Sequence, residues 1–242
     1  MMALPEHHHI ASAYDRDLES IQALILKMGG LVEEGIAQSV RSLEERDEES
    51  AARVRDGERR IDDLEEQVNA EAARVIALRA PTATDLRSVL AVIRISANLE
   101  RCGDYAKNIA KRTTVLVQMQ PVGGAAKSLR RMAREVEAML KDALDAYVHR
   151  DAGMAEAVRQ RDHDVDQMYN ALFREFLTHM LEDPRNITAS MHLHFIAKNV
   201  ERMGDHVTSI AEQVIYLVTG RPPEESRPKG DRTSMTSFDG TE

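Results

Sequence analysis

Residues 98–110 read NLERCGDYAKNIA, and residues 199–211 read NVERMGDHVTSIA. The two segments share an asparagine, a Glu-Arg-x-Gly-Asp motif and a final Ile-Ala at the same spacing. Earlier matches keep the same order along the chain: Met28 with Met132, Arg46-Asp47 with Arg150-Asp151, Asp62 with Asp166, and Pro81 with Pro184. Ordered self-similarity over several segments indicates an internal repeat. The chain is therefore predicted to be a duplication of one unit.

The first copy has the pattern of three long helices. Residues 12–46 carry apolar side chains at spacings of three and four, which is the period of an amphipathic helix. A second helix is predicted to start at a cap on Ser50 and to end before Pro81, since proline cannot continue the hydrogen-bond ladder. Thr82, with Asp85 three residues later, is predicted to cap the third helix, which should end near Met119.

The second copy repeats this plan over residues 125–149, 152–182 and 187–219. Helices of about 30 residues are about 45 Å long, and short connections make neighbouring helices antiparallel. The prediction is an all-α protein, a tandem duplication of an elongated three-helix bundle with six long helices. The bundles are expected at residues 8–120 and 123–220, and residues 221–242, rich in Pro, Ser, Thr and charge, are expected to be a disordered tail.

Composition excludes several classes of protein. The 242 residues carry a net charge of -9, which is a poor match to the phosphates of nucleic acid. Cys102 is the single cysteine, which rules out an intrachain disulfide and fits a reducing compartment. No apolar run approaches the ~20 residues that span a bilayer, and no signal-peptide pattern is present. The expected location is cytoplasmic.

Eight acidic residues form pairs with a spacing of four, two pairs in each copy. They are Glu58/Asp62 and Glu100/Asp104 in the first copy, and Asp162/Asp166 and Glu201/Asp205 in the second. Residues four apart on a helix point to the same side, so antiparallel packing of the second and third helices would bring four carboxylates together. A single pair of this kind usually belongs to a solvated helix face.

Three features favour a metal site over a solvated face. The pairs recur at matched positions, they interrupt stripes that are otherwise apolar, and a mid-helix glycine, Gly103 or Gly204, stands beside each later pair. Such a glycine costs about 1 kcal/mol relative to alanine, so its recurrence suggests a close approach to the backbone. Crowded carboxylates repel one another, and a bound cation offsets that repulsion. Oxygen ligands suit Mg²⁺, Mn²⁺ or Ca²⁺ and also hold iron.

The chain resembles the PhoU family over about residues 8–219. The matching stretches are LESIQALILKMGGLVEEGI at 18–36, RAPTATDLRSVLAVIRISANLERCGDYAKNIA at 79–110, FREFLTHMLEDPRNI at 173–187 and NVERMGDHVTSIAEQVIYLVTG at 199–220. The resemblance implies two three-helix bundles related by pseudo-twofold symmetry. It also implies multinuclear metal sites, which would fall on the eight acidic residues named above, with the metal left open among Mg, Mn, Fe and Zn.

The same resemblance implies a function as a negative regulator of phosphate-starvation signalling and phosphate uptake. Such a protein acts between the Pst phosphate ABC transporter and a sensor histidine kinase, so its contact with the membrane is peripheral, through these partners. A homodimer is expected. Cys102 and Met203 depart from the family pattern, which usually has a branched aliphatic residue at both positions, and the resemblance does not explain the residues after Gly220.

Two other functions stay open at this point. A carboxylate-bridged diiron protein for metal storage or oxidation would use Glu-x-x-His pairs inside a four-helix bundle, whereas the single such pair here is Glu6/His9. A purely structural helical protein would tolerate replacement of every acidic pair. No Ser-His-Asp set, Cys-His pair or glycine-rich phosphate loop occurs in a suitable context, so no enzymatic activity is expected.

Overall fold

The computed structural model describes residues 6–223, and for residues 6–13 the backbone alone. The helices are α1 Glu6–Glu45, α2 Glu48–Gly57, α3 Arg59–Arg79, α4 Thr84–Leu116, α5 Ala125–His149, α6 Ala152–Glu182 and α7 Ile187–Thr219, with a 3₁₀ turn at Pro184–Asn186. α2 and α3 follow one another directly and form one long helix with an interruption at Glu58, whose φ of -62° and ψ of -34° are themselves helical. When α2 and α3 are counted as one helix, the described range has six long helices and no strand, which confirms the predicted fold class. Disorder was predicted for residues 221–242, and from residue 224 onward this prediction lies outside the described residues.

The repeat is visible in the loops that precede the second helix of each copy. Arg46 and Arg150 both have a positive φ, 56° and 52°, which turns the chain after α1 and α5. The next residue then caps the following helix. The Asp47 carboxylate accepts from the Ser50 backbone N–H at 3.0 Å, and Asp151 accepts from two backbone N–H groups at the start of α6. The cap predicted at Ser50 is therefore wrong, because Asp47 has the extended backbone that a capping residue needs.

The start of α4 also differs from the prediction. Ala83, with a φ of 47°, stands at the N-cap position, and no side chain caps this helix end. Thr82 contributes only its carbonyl oxygen, which accepts from the Asp85 N–H at 3.0 Å. The predicted Thr82–Asp85 capping box is wrong because Ala83, with its positive φ, stands at the N-cap position and places Thr82 outside the helix. α4 also ends three residues earlier than predicted, at Leu116.

α4 and α7 lie antiparallel at the centre of the molecule, and α1 and α5 pack on one side of this pair. α2 and α3 pack beside α4, and α6 packs beside α7. Cys102 and Met203, at matched positions of the repeat, meet where the Cys102 Sγ lies 3.9 Å from the Met203 carbonyl oxygen. Contact between matched residues of two antiparallel helices places an approximate twofold axis between the halves.

Buried residues from both halves form one continuous apolar core. Most are Ile, Val, Leu, Ala and Met, and Tyr169 and Phe176 are among the largest that are fully buried. The apolar stripes recognised in the sequence supply this core, which holds the central helices in fixed register. None of the described helices is long and apolar enough to cross a membrane.

Candidate metal centre

The first acidic cluster lies between α3 and α4. Glu58, at the interruption before α3, is 5% exposed and lies close enough to Asp104 on α4 for that residue to raise its pKa. Asp62 follows one turn later, and its Oδ1 atom is buried without a hydrogen-bond partner in the described part of the chain. Glu100, one turn before Asp104, interacts electrostatically with both aspartates. The structure thus brings together the four acidic residues predicted for the first copy.

Burial and crowding raise the pKa of two of these carboxyls. For Glu100, removal from water is the main cause and the charge of Asp104 the next, and together they raise its pKa from 4.5 to about 7. The pKa of Glu58 is also raised, chiefly by burial, with further contributions from Asp104 and Asp62, while Lys107 acts in the opposite sense. Burial and crowding thus disfavour the ionised form of these carboxyls, and a cation that enters the cluster would stabilise that form.

A lysine already occupies part of the first cluster. The Lys107 ammonium lies 2.7 Å from Glu58 and 3.8 Å from Asp104, and its hydrogen bond to Glu58 is the main cause of a raised Lys107 pKa. Arg101 contributes from the rim, 3.6 Å from Glu100 and 3.8 Å from Asp104. Helical phase alone directs Arg101 away from these acids, but its long side chain reaches back to them.

The second acidic cluster lies between α6 and α7. Asp162 and Asp166 on α6 and Glu201 on α7 are 2%, 3% and 5% exposed, whereas Asp205 is half-buried. Thr208, one turn after Asp205, donates a hydrogen bond to Asp162 at 3.2 Å. The sequence left open that these acids lie on a helix face exposed to solvent. The burial of three of them excludes this for Asp162, Asp166 and Glu201.

The second cluster also contains a lysine, at a different point of the repeat. The Lys198 ammonium lies 2.8 Å from Glu201. In the repeat, Lys107 is matched by Thr208, and Lys198 is matched by Ala97. The ammonium therefore comes one turn after the acidic pair on α4 and one turn before the acidic pair on α7. Each half supplies one lysine to its cluster from its own central helix, but from a different position.

The mid-helix glycines allow a neighbouring helix to approach. A Cβ at Gly103 would lie 2.9 Å from the Ile61 Cδ1, and a Cβ at Gly204 would lie 3.3 Å from the Val165 Cγ1. Ile61 and Val165 are at matched positions, each between the two acids of its helix. The close approach inferred from the sequence is present, and a packed helix makes it. This packing holds the two acidic pairs of each cluster against one another.

Four of the eight predicted ligands are buried, and the chemistry of all eight suits a hard cation. All are carboxylates, which Mg²⁺, Mn²⁺, Ca²⁺ and iron accept. The buried, unpartnered Oδ1 of Asp62 and the raised pKa of Glu100 both indicate a site that positive charge stabilises. Among the described residues, no three Asp, Glu, His or Cys side chains are arranged to hold a metal ion. Coordination requires these carboxylates to turn, and of the four in the first copy Glu58 borders a cavity of about 240 Å³.

Sequence reasoning missed the polar partners of the clusters. Lys107 and Thr208 follow an acid by three residues, and Lys198 precedes one by three, which is a spacing at which side chains on a helix meet. His163 and His206, which directly follow acids in the sequence, hydrogen-bond to amide side chains. The signal for the lysines and Thr208 was therefore present in the local spacing.

Two matched bundles, each with a largely buried carboxylate cluster beside the central helix pair, define a duplicated all-helical protein with two acidic sites. The PhoU domain family model matches residues 25–113 and 129–214, one match in each half. The chain belongs to the PhoU family.

Relatives and solved structures agree with this assignment. The chain is similar to proteins named phosphate-specific transport system accessory protein PhoU homolog. The one from Caulobacter vibrioides is 44% identical over 227 residues, which cover 94% of this chain and 99% of the relative. The one from Rhizobium meliloti is 45% identical over 228 residues, which cover 94% and 96%.

Two crystal structures have the same fold. PhoU from Pseudomonas aeruginosa has a TM-score of 0.82 at 36% identity, covering 86% of this chain and 100% of that one. The phosphate transport system regulatory protein PhoU from Streptococcus pneumoniae has a TM-score of 0.81 at 28% identity, covering 88% and 100%.

Proposed function

We propose that this protein is a metal-binding accessory protein of phosphate transport that negatively regulates phosphate-starvation signalling and phosphate uptake. Its relatives are named as accessory proteins of the phosphate-specific transport system, which supports a regulatory function over an enzymatic one. In this proposal the protein works in the cytoplasm, between a subunit of a phosphate ABC transporter and a sensor histidine kinase. Its contact with the membrane is peripheral, through these partners.

Burial of acidic residues in both halves is the observation that carries the metal-binding part. Glu58, Asp162, Asp166 and Glu201 are at most 5% exposed. Buried carboxylates destabilise a fold unless a positive charge or hydrogen bonds compensate them, and a divalent or iron-type ion compensates several at once. The proposed ligands are Glu58, Asp62, Glu100 and Asp104 in one half, and Asp162, Asp166, Glu201 and Asp205 in the other.

Replacing one acidic pair tests the metal site. Glu100→Ala with Asp104→Ala should remove bound metal from the first half and leave the helical content unchanged, because the apolar stripes hold the bundle. Glu201→Ala with Asp205→Ala should do the same to the second half. Asp63→Ala with Glu66→Ala is a matched control, since it removes two exposed acids from α3 outside the cluster. The measurement is elemental analysis after dialysis against Mn²⁺, Mg²⁺ or Fe²⁺.

Thermal melting of the same variants gives a second measurement. With chelator, the double variants should melt no lower than the parent, because the substitutions remove repulsion between like charges. With metal, the parent should melt higher, because binding to the native state stabilises it by RT ln(1 + [L]/Kd). If no cation changes the melting temperature of the parent and elemental analysis finds no bound metal, the metal-binding proposal is contradicted.

Deletion of the gene tests the regulatory part. Cells without this protein should express a phosphate-starvation reporter when phosphate is plentiful, and reintroduction of the wild-type chain should restore repression. A reporter that stays repressed after deletion would exclude negative regulation.

We also propose that residues 8–120 and 123–220 are two structural units of one chain and that the chain forms a homodimer. Within residues 8–220, limited proteolysis should cut first between these units. Sedimentation equilibrium at the 27.1 kDa monomer mass at every concentration would exclude the dimer.

A further inference from the structure

The outer side of the α4–α7 pair, opposite α1 and α5, is not packed against any other described helix. Contacts between the two helices mark its ends. The Arg87 guanidinium carbon lies 5.8 Å from the Tyr216 ring centroid, and that of Arg112 lies 4.3 Å from the Phe195 ring centroid. From Arg87 to Arg112 the helix rises by about 38 Å. This bare surface is therefore long enough to bind a helix of about 20 residues.

Arginines project from this surface at one helical phase. Arg87, Arg94 and Arg112 lie along α4, and Arg202 has the corresponding position on α7. We call the surface the arginine face and define it by Arg87, Arg94, Arg112, Met191, Phe195 and Arg202. On both helices, no Asp or Glu lies within about 40° of this phase. Arg101 shares the phase but is paired with Glu100 and Asp104.

The charge of the arginine face is not neutralised within the described residues. None of its four arginines forms an ion pair there, although the chain as a whole has a net charge of -9. Hydrogen bonds to neutral groups hold two of them: Arg94 contacts Gln213, and Arg112 contacts His192. A positive strip on an acidic protein favours a negatively charged partner and repels a second copy of the same strip.

Apolar side chains lie between the arginines. Met191 and Phe195 are 40% and 44% exposed, and Leu90 and Val115 are 41% and 39% exposed. Arginine, methionine and aromatic residues are enriched where proteins recognise one another, whereas lysine is depleted. Arginine also forms bidentate pairs with carboxylates, which lysine does not. This composition favours an acidic protein segment over a lipid surface.

We propose that the arginine face is a docking surface for an acidic amphipathic helix of another protein. The helix would lie along the groove between α4 and α7, with apolar residues against Met191 and Phe195 and carboxylates against Arg94 and Arg202. On the opposite side of the pair, α1 packs on α4 and α5 packs on α7. The proposed contacts use no carboxylate of either acidic cluster, so peptide binding should persist when metal is removed.

A synthetic helix provides the probe. A fluorescent peptide of about 20 residues, with Leu at helical spacing and Glu elsewhere, should bind the full chain with or without chelator, and the same peptide with Lys in place of Glu should not. Arg94→Glu with Arg202→Glu should weaken binding by about tenfold or more, since two attractions become repulsions. The matched control is Arg131→Glu with Arg134→Glu, which makes the same change of charge on α5, outside the face.

A second variant separates a packed interface from diffuse attraction. Met191→Ser with Phe195→Ser should weaken binding about tenfold while the dependence on salt stays that of the parent, because no charge changes. Circular dichroism and melting confirm that each variant is folded. Equal weakening by the α5 control, or an unchanged affinity in the Arg94/Arg202 variant, would overturn the proposal.

Two other occupants are distinguished by parallel measurements. Binding of anionic phospholipid vesicles that is lost in the Arg94/Arg202 variant, without any peptide binding, would assign the face to a membrane and overturn the proposal. A dimer that dissociates in the same variant, again without peptide binding, would assign the face to a second copy and overturn it equally.

Discussion

The Cδ1 of Ile61 lies 2.9 Å from the point that a Cβ would occupy on Gly103. In the second half the corresponding distance, from the Val165 Cγ1 to a Cβ on Gly204, is 3.3 Å. Each contact lies beside an acidic cluster, because Ile61 separates Glu58 from Asp62 along α3. The absence of one methyl group on each central helix therefore sets how closely the carboxylates face each other.

Gly103→Ala should destabilise the protein, because the added methyl group overlaps the Ile61 side chain. Overpacking costs about 1–3 kcal/mol, and the better helix propensity of alanine returns about 0.5–1 kcal/mol, so a net loss of about 1 kcal/mol is expected. Gly204→Ala should cost less, since Val165 is shorter. Urea unfolding of the two variants makes this comparison.

Ile61→Val in the Gly103→Ala background supplies the control. It removes the Cδ1 atom and leaves Cγ2 at 3.4 Å, an ordinary contact, so stability should largely return. If the double variant is no more stable than Gly103→Ala alone, steric overlap with Ile61 is not the cause.

Replacing the lysines that contact the acidic clusters should strengthen metal binding. Lys107 and Lys198 neutralise the carboxylates that a cation would need, so Lys107→Met and Lys198→Met should each raise metal affinity about tenfold at the site concerned. In chelator, the same variants should be less stable by about 1–2 kcal/mol, because a buried carboxylate loses its partner. Titration calorimetry and melting measure the two effects.

Lys111→Met is the matched control for the lysine experiment. Lys111 is exposed and lies one turn beyond Lys107 on α4. Its replacement by Met removes the same charge without changing a residue that contacts the cluster. Equal gains in affinity from Lys111→Met and Lys107→Met would show that only the overall charge matters.

The stability of the metal-free protein should fall as pH rises from about 4.5 to about 7. The Glu100 pKa is raised to about 7 by burial and by the charge of Asp104, so the folded state holds a proton that the unfolded state has released. Its favourable contribution is complete below the unfolded value near 4.5 and is lost through 7. Solvent screening limits the effect to the order of 1 kcal/mol.

Glu100→Gln should flatten this part of the pH profile, since a neutral side chain does not titrate. Chemical unfolding in chelator at several pH values gives the measurement. Parallel profiles for parent and variant would show that Glu100 is not the titrating group.

Glycine substitutions at the two matched loops should have opposite effects. Arg150→Gly should stabilise the protein by about 1 kcal/mol, because glycine adopts a positive φ without strain. Arg46→Gly gains the same relief but loses the hydrogen bonds that the Arg46 guanidinium donates to the Val117 and Met119 carbonyls, each at 2.7 Å. Charge-assisted bonds contribute about 1.5–3 kcal/mol, so a net loss is expected. A stabilised Arg46→Gly variant in thermal melts would show that these bonds contribute little.

Features that depend on residues adjacent in the sequence, such as the bounds of most helices, could be predicted from the sequence. The predicted helices of the second copy, residues 125–149, 152–182 and 187–219, have the bounds of α5, α6 and α7. Apolar period, proline and glycine decide such bounds locally. The predicted caps at Ser50 and Thr82 failed because α2 begins at Glu48 and α4 at Thr84, just after turns at Arg46 and Ala83. Neither Arg nor Ala is a residue type that signals a positive φ in the sequence.

The sequence alone determined the duplication, the helices and which acids share a helix face, because repeats and periodicity are properties of the chain itself. Tertiary structure decided the rest. Burial of Glu58 and Glu201, the reach of Lys107 and Lys198 into the clusters, and the exposure of the arginine face depend on which sides of α4 and α7 are covered. Periodicity shows that a helix has an apolar side, but both sides of α4 carry apolar residues. Only the packing of α1 and α5 on one of them leaves the other bare.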